Sequence, residues 1–222
     1  ERKAIIQAAE QSGGGKVYLE YEPKVAAIGA GLDIFKPRGN MVIDMGGGTS
    51  DIAILSLGDI VSSQSIRMAG DKMNSDIASY IKNKHGLVIG EHTAEKIKME
   101  LGTALRVDDP ETMDVRGRDV ATGMPKQITV NENEIEEALH DTLEQIVSAA
   151  VNVLETIPPE LASDIIDRGI MLTGGTSLLK GVDQLFSARL KVPVVVSQDP
   201  LDNVAKGAGE MLERMQKTER KK

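Results

Sequence analysis

At 222 residues the chain is long enough for one large domain or two small ones with a sizeable core. Its formal charge of −8 argues against general nucleic-acid binding, and the lack of cysteine removes disulfides and thiolate metal sites. No apolar run approaches the ~20 residues that cross a bilayer, and no stretch resembles a secretory leader.

The chain opens in helical periodicity, with neither an initiator Met nor an N-cap, which reads as a fragment beginning inside a helix. That helix ends near Ser12, before Gly13-Gly14-Gly15. Residues 16–20 read as a short strand. Pro23 opens a helix reaching Ile28. Pro37-Arg38-Gly39-Asn40 turns the chain into an apolar strand that ends at Asp44, and a second strand starts at Asp51. A third strand over 60–66 is broken by Gly70. A helix over 71–84 puts Met73, Ile77, Tyr80 and Ile81 on one face, and another helix covers about 93–105.

Strand candidates follow at 112–118 and 127–130. Asn131 can N-cap a long helix, with Glu134 closing a capping box. Apolar positions at i, i+3, i+4 spacing sustain it to Pro158-Pro159, about 40 Å at 1.5 Å per residue. A buried strand over 169–173 leads through Gly174-Gly175-Thr176-Ser177 into a helix ending near Leu190. A strand over 192–197 and a helix over 201–215 complete the chain. The basic tail 217–222 reads as a solvated terminus rather than a membrane contact. Strands with intervening helices predict an α/β fold, and 70–141 reads as an inserted subdomain.

The turn from Asp44 to Asp51 carries the chemistry. Gly46, Gly47 and Gly48 have no side chains, so their backbone N–H groups can approach an anion closely. Thr49 adds a hydroxyl. Asp44 is poorly placed to bind phosphate directly, because like charges repel, but suits Mg²⁺ or a water on it. The unit reads as a phosphate-and-metal grip on a β-hairpin. A Walker loop or dinucleotide fingerprint would lead into a helix instead. The competing reading is an ordinary glycine-rich hairpin with no ligand. Gly174 to Thr176 partly echoes the motif, and the helix start expected after it can hold an anion or a ribose hydroxyl.

These motifs together resemble the actin-like ATPases, and specifically the MreB/Mbl family of bacterial actin homologues. Five stretches carry the resemblance: Glu22-Pro23-Lys24-Val25-Ala26-Ala27-Ile28-Gly29-Ala30-Gly31; Asp44-Met45-Gly46-Gly47-Gly48-Thr49; Ala94-Glu95-Lys96-Ile97-Lys98; Ile157-Pro158-Pro159-Glu160-Leu161-Ala162-Ser163-Asp164-Ile165; and Leu172-Thr173-Gly174-Gly175-Thr176-Ser177-Leu178-Leu179. The resemblance implies an actin-like (ribonuclease H-like) ATPase fold, incomplete at its N-terminus. It implies residues 1–37 as the remainder of a first domain and 38–69 with 142–200 as a second, nucleotide-binding one. Residues 70–141 are then the insert, and 201–222 a helix returning to the first domain.

The implied cofactors are ATP and Mg²⁺. Asp44 serves the metal shell and Glu22 orients the attacking water. Gly46, Gly47, Gly48 and Thr49 form the second phosphate loop. Glu95, Lys96 and Lys98 lie in the stretch that touches ribose and adenine, and Gly174, Gly175, Thr176 and Ser177 form the adenosine motif. The implied partners are other copies of the chain in a filament, the cell-wall elongation machinery and the inner membrane surface, with no nucleic acid. The implied location is cytoplasmic, at the inner face of the cell membrane.

This sequence departs from the family pattern at Tyr21, where a second acid is usual, and at Thr176, where a third glycine is common. Neither departure removes a residue given a chemical role. Each role has a blander rival: Glu95 and Lys98 as a solvated ion pair, Glu22 as a helix-start residue. His85, His92 and His140 lack ligand spacing and read as surface or structural. A chaperone-type ATPase would need an appended substrate domain, and a sugar kinase a catalytic aspartate with a polar sugar pocket.

Overall fold

The computed structural model describes residues 2–219; Glu1 and most of the basic tail, 220–222, lie outside the described residues. Helices α1 (Arg2–Gln11) and α2 (Glu22–Gly29) come first, followed by strands β1 (Asn40–Met45), β2 (Ser50–Ser56) and β3 (Asp59–Ile66). Next come α3 (Gly70–His85), β4 (Leu87–Val88), α4 (Glu91–Leu101), β5 (Thr112–Asp119), β6 (Pro125–Asn131) and α5 (Glu132–Glu155). The chain closes with α6 (Pro159–Arg168), β7 (Ile170–Thr173), a 3₁₀ turn (Gly175–Leu178), α7 (Val182–Leu190), β8 (Val194–Val196) and α8 (Asn203–Glu219).

The main sheet has the order β3-β2-β1-β7-β8. Its central strand, β1, runs antiparallel to β2 and parallel to β7. Every residue of β1 is buried, because alternation sends its side chains to two covered faces. Ile43, Ile52, Ile54 and Leu172 face one cluster with α3, α5 and α7 residues; Val42, Ala53 and Leu55 face the other with Ala27 and Ile28 of α2. A second antiparallel sheet, β4-β5-β6, belongs to the stretch between α3 and α5.

Local chemistry explains the firmest elements. Asn131 accepts from the Glu134 N–H, and the Glu134 carboxylate accepts from the Asn131 N–H, so the expected capping box starts α5. Gly86 closes α3 in the left-handed conformation that an L-residue resists.

Other expectations change. Residues 16–20 form no strand, since no described strand lies alongside to pair with them. The helix expected over 93–105 starts at Glu91 and stops at Leu101. Gly102 turns extended there, and a Cβ on it would sit 2.2 Å from the Lys98 carbonyl oxygen and 2.6 Å from Leu179. The segment after Gly174 is a 3₁₀ turn rather than the start of α7: Leu179 runs extended and Gly181 takes φ +71 before the helix begins. Helix α6 was not anticipated. The proline pair that ends α5 also starts α6, with Pro159 in its first turn.

Helices α2 and α8 cross where both carry glycine. A Cβ on Gly29 would lie 1.8 Å from the Asn203 carbonyl oxygen, and one on Gly207 would lie 1.9 Å from that of Val25. Backbone cannot yield as a side chain can. Gly207→Val should therefore push α8 off α2 and lower the unfolding free energy by about 2 kcal/mol or more. Chemical denaturation reads this directly; wild-type stability would mean the helices do not meet this closely.

Candidate functional site

Strand β1 delivers Asp44 to the end of the main sheet, where β7 delivers Thr173 to the neighbouring register position. The Thr173 Oγ1 donates to Asp44 Oδ1 at 2.8 Å. Asp44 is buried, and burial pushes its pKa up to about 6, with the charges of Glu22 and Asp51 adding to the effect and the Thr173 hydroxyl opposing it. Glu22 itself is exposed, in the first turn of α2.

The turn between β1 and β2 is closed by the Gly46 N–H donating to the Thr49 carbonyl at 3.0 Å. Its carbonyls are occupied from the far side. Gly46 O accepts from the Gly70 N–H at 3.1 Å and from Thr176 Oγ1 at 2.9 Å, and Gly47 O accepts from the Asp71 N–H at 2.8 Å. Among the described residues, the N–H groups of Gly47 and Gly48 have no protein acceptor. Such paired free donors are what an anion-binding turn requires. Thr49 turns its hydroxyl to Asp51, 2.8 Å away.

A cavity of about 420 Å³ opens beside this turn. Gly46, Gly47, Glu95, Lys98, Gly175 and Thr176 all line it, so three distant stretches singled out in the sequence converge. Glu95 and Lys98 lie three apart on α4, on the side that borders the cavity. The Lys98 amine donates to Gly70 O at 2.9 Å; burial pushes its pKa below the usual lysine range, with Glu95 and Asp71 acting in the opposite sense.

Other candidates stay outside the cavity. Lys96 lies on the exposed side of α4, 3.7 Å from Glu100. Gly48 sits in open space at the turn. Gly174, at φ +79, packs so closely that a Cβ would fall 2.3 Å from Met45 O and 2.8 Å from Asp44 Oδ1. Ser177 donates to Gly174 O at 2.6 Å, so both residues shape the loop that presents Gly175 and Thr176.

The sequence reading missed Gly70 and Asp71, taking the glycine only as the end of a strand. Both line the cavity, and a Cβ on Gly70 would lie 3.1 Å from the Lys98 amine and 3.2 Å from Thr176 Oγ1. The available signal was a Gly-Asp pair at a strand-to-helix junction. It also missed the apolar rim made by Met99, Leu178 and Leu201, all exposed, and Lys180 at the cavity wall.

The donor set fits an ion whose shell is completed by ligand and water, such as Mg²⁺, rather than an all-protein metal cage. No group of three or more His, Cys, Asp or Glu side chains among the described residues could hold an ion alone. Mg²⁺ commonly takes one or two carboxylates and completes its shell with phosphate oxygens and water. Asp44 supplies one such carboxylate beside the free glycine donors, and its displaced pKa is what a nearby cation would restore.

Among the described residues no helix is long and apolar enough to cross a membrane. The family model for MreB/Mbl protein matches residues 1–220. The chain is 56% identical over 222 residues to the cell shape-determining protein Mbl of Bacillus subtilis (strain 168), covering 100% of this chain and 67% of that protein. The crystal structure of MreB 5 of Spiroplasma citri bound to AMPPNP superposes with a TM-score of 0.96 at 36% identity, covering 100% of this chain and 66% of that one. A MamK double helical filament shares the fold, with a TM-score of 0.77 at 19% identity over 95% of this chain and 64% of that one. The chain spans about two thirds of the length of the curated relatives it matches. Motifs, topology and relatives agree on an α/β actin-like fold, and the chain belongs to the MreB/Mbl family of bacterial actin homologues.

Proposed function

We propose that this chain is the larger part of a cell-shape-determining cytoskeletal ATPase that grips ATP with Mg²⁺ and assembles into filaments. The observation that carries the reading is the pair of acceptor-free N–H groups at Gly47 and Gly48, set beside the buried Asp44 and a nucleotide-sized cavity. The glycine donors hold phosphate oxygens, and Glu95, Lys98, Gly175 and Thr176 enclose the nucleoside. Asp44 would hold Mg²⁺, which would offset the phosphate charge. Glu22, whose field reaches Asp44, orients water for hydrolysis. Catalysis of this kind is mostly positioning and electrostatics.

Residues 1–37 and 201–222 form one domain in this reading, supported by the α2–α8 crossing. Residues 38–69 with 142–200 form the second, and 70–141 its insert. Relatives that determine cell shape, and a nucleotide-bound one of the same fold, support the role. The filament lies in the cytoplasm against the inner membrane face and serves the wall-elongation machinery.

Gly47→Val tests the grip. A branched side chain there projects toward the cavity and meets Asp71, whose Oδ1 is 3.4 Å from the Cβ position. AMPPNP affinity measured calorimetrically should fall at least about tenfold, 1.4 kcal/mol. Wild-type affinity in this variant removes the grip from the account.

A further inference from the structure

Lys180 belongs to the loop between the 3₁₀ turn and α7, yet most of its bonds reach across to the 102–133 stretch. Its amine donates to Glu132 Oε1 at 2.6 Å and to Glu111 Oε2 at 3.4 Å. Its carbonyl accepts from the Ala104 N–H at 2.8 Å, beside a parallel bridge to Thr103. Glu132 is only 4% exposed, and its other oxygen accepts from the Glu111 N–H at 3.0 Å. The lysine end stays half exposed, with 52% of its side chain open to solvent, while the carboxylate end is buried, which sets the pair apart from a fully solvated one, whose contribution is often close to nothing. A carboxylate buried this far depends on its amine. Together these bonds hold the start of α5 and the segment just after α4 against the loop that follows Gly175 and Thr176.

Those are the two walls of the cavity. Glu95, Lys98 and Met99 stand on α4; Gly175, Thr176 and Leu179 stand opposite; Lys180 itself lines the space between. The walls already touch at Gly102, where Leu179 leaves no room for a Cβ. A change in their separation is therefore a change in the volume offered to the nucleoside.

We propose that Lys180, clamped on Glu132 and on the backbone at 103–104, is a positioning residue that sets the separation of the two cavity walls and so the affinity for nucleotide. The inference rests on the nucleotide reading above. The clamp acts on the walls about Glu95, Lys98, Gly175 and Thr176, not on the phosphate turn. Its loss weakens di- and triphosphates alike. If the closed arrangement falls to about a tenth of the population, the apparent dissociation constant rises about tenfold.

Lys180→Met alone strands a buried carboxylate and could unfold the chain. The Lys180→Met, Glu132→Gln double variant removes both charges together, and Lys180→Arg keeps the charge. ADP and AMPPNP are titrated with Mg²⁺ into the full chain and both variants, and hydrogen exchange is followed at Ala104 and along α4. The expected result is faster exchange and an equal, about tenfold loss for both nucleotides in the double variant, with Lys180→Arg close to wild type. Faster exchange with unchanged affinity makes Lys180 a structural tie only and overturns the proposal. Loss for AMPPNP but not ADP overturns it in favour of a direct γ-phosphate contact. A wild-type chain that binds neither nucleotide removes the nucleotide reading itself, and the clamp's role with it.

Discussion

Asp44→Asn should make the chain more stable at neutral pH. The carboxyl has its pKa raised by burial from 3.8 to about 6. A group whose folded pKa lies above its unfolded value binds its proton more tightly in the folded state. The folded state therefore gains stability as pH falls from about 6 toward 4, and that gain is absent above 6. At pH 7 the ionised, buried carboxylate costs up to about 3 kcal/mol, from roughly two units at 1.36 kcal/mol each. Asparagine removes that cost and can still accept from Thr173. Denaturant titrations at pH 7 and pH 4.5 check both parts: the variant should exceed wild type by about 1–3 kcal/mol at pH 7, and the gap should narrow at pH 4.5. A variant less stable than wild type at pH 7 would show that Asp44 is held by contacts rather than strained by burial.

Glu22→Ala should separate binding from chemistry. Glu22 is exposed, makes no wall of the cavity, and reaches Asp44 through its charge. Nucleotide affinity should therefore stay near wild type. Hydrolysis should slow by about 10²–10⁴, the usual effect of losing one group that positions or deprotonates the attacking water. Phosphate release, measured on a chain extended to the length of its relatives, reads the rate. Wild-type turnover would reduce Glu22 to a helix-start residue.

Much of the site was legible because its chemistry is local. Glycines at 46–48 announce a tight turn whatever surrounds them, and Glu95 with Lys98 follows from helix periodicity. The same periodicity places Lys96 about 100° away, on the outside. Asn131 and Glu134 cap α5 within four residues of each other. What was not legible depends on distant partners. Strand β4 is two residues long and exists only through its pairing with Arg118 and Asp119. Residues 16–20 have strand composition, but no described strand lies alongside them. Gly70 and Asp71 enter the site because their N–H groups dock on the carbonyls of Gly46 and Gly47, some two dozen residues away. Gly174 drew notice as a motif residue, but its true constraint is the backbone of Met45 pressed against it.

The glycine grip is tested most directly by the backbone amide spectrum of the chain as AMPPNP and Mg²⁺ are added. The grip predicts that the amides of Gly47 and Gly48 shift most, followed by residues 70–71, 95–98 and 175–176 around the cavity. Without Mg²⁺ the shifts should shrink, because Glu22, Asp44, Asp51 and Asp71 ring the turn with negative charge. Shifts that cluster elsewhere while Gly47 and Gly48 stay unmoved would contradict the account.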